Sequence, residues 1–194
     1  MKIKIVEQIE FSTVLFDSLF GLILFFSFAS FLDIKELLPF TFYLFTTIIL
    51  IHWWLIFKSA DDAFAEEVND SAIDLVFGII YIILLEYIVL MSSLANYIQA
   101  TYFLIALLAV DLIWALVWRY IGEWETHNIE RIGRMEKELN HNIIIDIVTI
   151  VLFILLSVCG SLMSPWLFVT FFIALYIIYI ILTFSTKIID LKIF

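Results

Sequence analysis

Cysteine occurs once in this 194-residue chain, proline twice, and charged residues make up only 15% of it. With Cys159 alone, no intrachain disulfide can form, and cysteine usage carries no signal of redox compartment. No cysteine or histidine set has metal-ligand spacing. Only His52 lies in an apolar run, since His127 and His141 fall in a polar stretch, so bis-histidine haem is not expected. There is no glycine-rich phosphate loop, nucleophile elbow or HExxH pattern. No apolar run carries an arginine series, which excludes voltage sensing of that kind. No nucleophile–base set accompanies the apolar runs, so the pattern points away from an enzyme, and no cofactor is expected. The formal net charge of −10 offers no general footprint for nucleic acid.

What the chain has in abundance is apolar residues, 64% of the total. Soluble domains sit near about 45–50% apolar and about 25% charged. The composition therefore predicts an integral membrane protein, all-α, organised as one transmembrane domain over 1–194. A bilayer core of about 30 Å needs about 20 helical residues. Runs at roughly 11–32, 38–57, 72–95, 98–118, 143–163 and 165–185 qualify, giving six expected spans. They are apolar on all sides, which favours helices over alternating barrel strands. The first run is too long for a cleavable signal segment, and no small-residue cleavage site follows it. Pro39 and Pro165 fall at the starts of the second and sixth spans, where the missing N–H has no partner to lose. Only "GSLMSP" separates the last two spans.

Basic residues set the expected orientation. Lys2, Lys4, Lys58, Arg119, Arg131, Arg134, Lys137, Lys187 and Lys192 fall on one side, and Lys35 alone on the other. The positive-inside rule then places both termini in the cytoplasm and pairs the spans as three antiparallel hairpins in the cytoplasmic membrane. The acids that dominate the net charge lie mainly in two inner loops. "KSADDAFAEEVNDS", 58–71, is acidic, lacks glycine and proline, and is able to continue the second helix. Within 122–142, Ile129, Ile132, Met135 and Leu139 recur at spacings of three and four, which predicts an amphipathic inner-loop helix. Such a stripe packs against the bundle or docks a partner.

Five carboxylates interrupt the apolar runs: Asp17, Asp74, Glu86, Asp111 and Asp146. A charge at mid-bilayer costs about 2.5–3.5 kcal/mol on insertion scales, so such groups normally face the bundle interior or water. At about 1.5 Å per residue, Asp17, His52, Asp74, Asp111 and Asp146 fall at depths of roughly 4–11 Å in the inner half. They form the candidate set for binding an ion or relaying a proton. Glu86 stands apart in the outer half. On the helical repeat, Gly21 shares a face with Asp17, Gly78 with Asp74, and Ser157 and Gly160 with Asp146. Small residues there favour close helix approach. Asp74 also reads as a capping acid in "SAID", at the positive end of the helix dipole. Trp53, Trp54, Trp114 and Trp118 suit an interfacial aromatic belt.

The odd-numbered spans start alike, with "FDSLFGLIL", "IDLVFGIIY" and "IDIVTIVLF", a pattern consistent with three repeated hairpins. "FDS" at 16–18 and "IHWWLIFK" at 51–58 also resemble, in residue type and place, motifs of the six-helix prokaryotic relatives of the endolysosomal potassium channel. The order of residues differs in both stretches, and the arginine expected before the first is absent. The resemblance implies a channel. These features together lead to the expectation of a small transporter or channel for a proton or small cation. The alternative is a non-catalytic subunit, or a homo-oligomer, whose acids are satisfied by packing or by a membrane-protein partner.

Overall fold

The computed structural model describes residues 17–25, 34–64, 71–120 and 129–190, and every regular element among them is a helix. Helix α1 covers 17–25; α2 is Leu37–Phe64, α3 Ser71–Ser93, α4 Tyr97–Tyr120, α5 Ile129–Gly160 and α6 Pro165–Asp190. The rest of the first expected span lies outside the described residues. The other five helices are each long and apolar enough to cross a membrane. Only 33–44% of each apolar window is buried inside the protein. Val151, Leu155 and Val158 on α5, and Ile177, Ile178 and Ile181 on α6, stand exposed. Outward faces this apolar need lipid around them, and the chain is a helical membrane protein.

Local chemistry sets the helix ends. Pro39 lies in the first turn of α2 and Pro165 opens α6. Ser164 Oγ accepts the Leu167 N–H at 3.4 Å, and Asn96 Oδ1 accepts the Gln99 N–H at 3.4 Å. Both are N-caps that satisfy donors the helix itself leaves open. At the end of α3, the Asn96 N–H donates to Met91 O at 2.8 Å and the Ala95 N–H to Ser92 O at 3.1 Å. That is a Schellman closure with Ala95 in the left-handed region, φ 57°. Glycine is the usual residue there, because a Cβ in that region costs about 1–2 kcal/mol.

Hydroxyl groups inside the spans are satisfied within their own helices. Ser92 Oγ donates to Ile88 O at 2.6 Å, Thr101 Oγ1 to Tyr97 O at 2.8 Å and Ser157 Oγ to Phe153 O at 2.8 Å. In a medium without water this back-bonding removes an exposed donor without needing a neighbouring helix.

The described chain forms two compact units. The first comprises 17–25, 34–64 and 71–103, and in it α2 packs along α3. Helix α2 buries Phe42, Thr46, Ile49 and Trp53, and α3 buries Tyr81, Leu85, Ile88 and Ser92. Both stripes step by three and four residues, the period of a single helix face. Ring contacts tie the unit together: Trp53 with Tyr81 at 5.5 Å, Phe42 with Tyr97 at 5.0 Å and Tyr87 with Phe103 at 4.9 Å. The α2–α3 pair joins spans that the orientation rule assigns to different hairpins.

The second unit comprises 104–120 and 129–190, with α5 packed along α6. The turn between them, 161–164, closes with Leu162 N–H to Cys159 O at 2.9 Å and Met163 N–H to Gly160 O at 3.2 Å. Helix α5 is 32 residues long, about 48 Å at 1.5 Å per residue. Its apolar span begins only at Leu139, so the part of the expected amphipathic segment from 129 onward is continuous with the fifth span. Residues 122–128 lie outside the described part. Arg119 Nη1 meets Glu136 Oε1 at 3.5 Å, setting this extension beside the end of α4. Helix α2 likewise runs past its apolar span, from Leu55 to Phe64. The acidic stretch thus continues the helix at least to Phe64, as its lack of glycine and proline predicts.

Candidate intramembrane acid sites

The candidate acids fall into two settings, one in each unit. In the first unit, Asp17 is half-buried at the start of the described part of α1. Its Oδ1 accepts a hydrogen bond from Trp54 Nε1 of α2 at 3.0 Å. Phe20, one turn along α1 and 4% exposed, stacks on the Trp54 ring with centroids 5.2 Å apart and planes at 15°. The positions 17 and 20 share a helix face, so one turn of α1 presents an acceptor and a ring to the same tryptophan. Tryptophan buried by a ring normally directs its one donor to an acceptor, and Asp17 supplies it. The indole thereby joins α1 to α2.

Around this contact, His52 is buried and Trp53 turns into the core against Tyr81. Neither Trp53, 4% exposed, nor Trp54, bonded to Asp17, is a free-standing belt residue. Gly21 is exposed, and a Cβ added there would meet nothing within 4 Å, so it creates no close helix approach among the described residues. Ile23 is the other buried residue of this α1 segment. Asp74 lies in the first turn of α3, and the expectation for its side chain falls outside the described part. Gly78, one turn on, is buried on the same face as Tyr81 and Leu85. Glu86 is exposed on α3 within its apolar span.

The second unit holds the more demanding group. Asp146 of α5 is 1% exposed and lies among Ile145, Thr149 and Phe153 on the buried face of that helix. Asp111 of α4 and Tyr179 of α6 both lie within hydrogen-bonding reach of its carboxyl group. Helix periodicity puts each of the three in place. Asp111 continues the α4 stripe of Leu104, Leu107 and Leu108 towards Ala115. Tyr179 continues the α6 stripe of Phe168, Phe172 and Tyr176. Tyr176 is fully buried, with its ring 5.6 Å from that of Tyr179. Below the cluster on α5, Phe153 meets Phe172 at 5.3 Å, and Ser157 and Gly160 are buried on the same face.

Asp146 Oδ2 is wholly buried and closes no hydrogen bond within 3.5 Å among the described residues. A neutral carboxylic acid has one donor, and an ionised carboxylate only accepts. Two carboxyl groups side by side in an apolar bundle therefore bond to each other only when a proton lies between them. Two bare charges there would repel and lose their hydration together. Tyr179 adds a hydroxyl able both to donate and to accept. The chemistry available is proton binding and proton exchange among three oxygen-bearing groups.

Sequence spacing identified Asp111 and Asp146 as candidates but not Tyr179, one aromatic residue in an apolar run rich in them. Its signal was the three-and-four spacing from Phe168 through Phe172 and Tyr176. Trp54 suits the membrane interface by residue type, but its position two residues from His52 sets it near the depth of Asp17. No known protein family, characterised protein or solved structure matches the chain.

Proposed function

We propose that this chain is a small integral membrane transporter or channel for a proton or small cation, with Asp111, Asp146 and Tyr179 as its binding group. The observation that carries the reading is the Asp146 carboxyl, 1% exposed inside an apolar span with a second acid beside it. Structural needs do not account for such a pair, since a bundle core of apolar residues of similar size is at least as stable as buried charge. Intramembrane ionisable residues that persist mark ion or proton pathways by default. The biased distribution of basic residues supports three antiparallel hairpins with both termini on the cytoplasmic side.

Asp17 has a different role in this reading. Its hydrogen bond to Trp54 supports a structural function as the acceptor that fastens α1 to α2. The test is flux in proteoliposomes. Asp146→Asn and Asp111→Asn abolish it while the protein stays monodisperse in detergent. Undiminished flux in both variants rejects the reading.

A second reading, a non-catalytic subunit or assembly partner, has its own support in Glu86. That carboxyl is exposed within the apolar span of α3, beside Ile83, Tyr87 and Leu90, which are also exposed. A partner helix with a donor at that depth would satisfy it. Co-purification of a second membrane protein that is lost in Glu86→Leu favours this reading.

A further inference from the structure

We infer that the Asp111–Asp146 pair takes up one proton, held between the two carboxyl groups and coupled to the Tyr179 hydroxyl, and does not coordinate a metal cation. This deepens the transport reading by naming its substrate, and rests on it only for the step of movement across the membrane.

The two carboxyls come from different helices, α4 and α5, yet lie within hydrogen-bonding reach. A metal cation needs more ligands than the pair supplies: calcium, for example, takes six to eight oxygens at about 2.3–2.6 Å. Among the described residues no third histidine, cysteine, aspartate or glutamate joins the pair to form a metal site. A proton needs only one donor position and one acceptor position, and the pair supplies both. Asp146 Oδ2 is buried and closes no hydrogen bond among the described residues, an open acceptor that costs a charged carboxylate more than a neutral acid.

The surroundings fit a proton better than a hydrated ion. Thr149 is buried on α5 next to Asp146, and Tyr176 is fully buried on α6. Phe153 and Phe172 close one side. Uptake of a proton by the pair changes its charge by one without adding volume. Tyr179 is the natural second station, because its hydroxyl reaches the pair and Thr183 lies one turn further along α6. Asp111 from α4, Asp146 from α5 and Tyr179 from α6 face one another, with Tyr176 behind Tyr179.

Infrared spectroscopy of the purified full chain in lipid nanodiscs separates the alternatives. A protonated carboxyl group absorbs apart from ionised carboxylates, so the pair gives its own band. The expected spectrum of the wild type contains that band, and exchanging sodium, potassium or calcium chloride at fixed pH leaves it unchanged. The band is lost in the Asp111→Asn/Asp146→Asn double variant and shifts in Tyr179→Phe, which removes one hydrogen bond without removing a ring. Absence of the band in the wild type, or its disappearance on adding any of the three cations, overturns the inference. If the double variant does not fold, the cation series on the wild type and the Tyr179→Phe shift still decide it. A wild type with the band but no proton flux keeps the proton pair and rejects transport, so the two fail separately.

Discussion

Asp17 and Asp146 look alike in the sequence: each follows a few residues into an apolar run and shares a face with small residues. In the folded chain they part company. Asp17 is half-buried and its Oδ1 is occupied by the Trp54 indole at 3.0 Å. Asp146 is 1% exposed, has a second acid next to it, and keeps Oδ2 outside any hydrogen bond among the described residues. The difference teaches that depth and face do not decide what an intramembrane acid does; its neighbours do. On the reading proposed above, an acid that meets a donor ring fastens two helices, and an acid that meets another acid shares a proton.

That comparison is open to attack at three strengths. The largest effect belongs to the acid pair, where Asp146→Asn removes the only arrangement in which the two carboxyls share a proton, and proton flux falls to the level of empty liposomes. The middle effect belongs to the indole. Trp54→Phe keeps an aromatic ring against Phe20 but deletes the donor to Asp17. Interhelical hydrogen bonds in membranes contribute about 0.6 kcal/mol on average and about 1.7 kcal/mol at most. Reversible unfolding of the variant in mixed micelles should show a loss of about 0.6 kcal/mol, and no more than about 1.7 kcal/mol, with flux retained; a loss of flux instead would place Asp17 and Trp54 in the pathway. The smallest effect belongs to Asp17→Asn. The amide oxygen still accepts from the Trp54 indole, so stability shifts by less than about 0.6 kcal/mol in the same unfolding measurement.

Much of the architecture was legible beforehand because membrane spans are written in composition. The second to sixth spans follow their apolar runs, and Pro39, Pro165 and Ser164 mark helix starts as their chemistry requires. The extension of α2 followed from the absence of breakers in the acidic stretch. The continuity of α5 was harder to read. Asn140, His141 and Asn142 look like a loop before the span, yet none of them breaks a helix, and the chain runs straight through from Ile129 to Gly160.

The site was legible in part. Periodicity put Asp146 on a face with Thr149, Ile150, Phe153, Ser157 and Gly160, and all but the half-buried Ile150 are buried there. Periodicity along one helix says nothing about which residue of another helix comes opposite. The pairings Asp17 with Trp54, and Asp146 with Asp111 and Tyr179, are products of packing between separate helices. Ser157 offers a smaller lesson. Its hydroxyl suited an interhelical bond, but a carbonyl of its own helix lies nearer, at 2.8 Å, and takes it.

The most direct test sets the two acids side by side. Asp17→Asn and Asp146→Asn are reconstituted at equal protein density, and proton flux is followed with an entrapped pH dye under an imposed gradient. The account predicts flux close to wild type for Asp17→Asn and none above empty liposomes for Asp146→Asn. Flux lost in Asp17→Asn and kept in Asp146→Asn would contradict it.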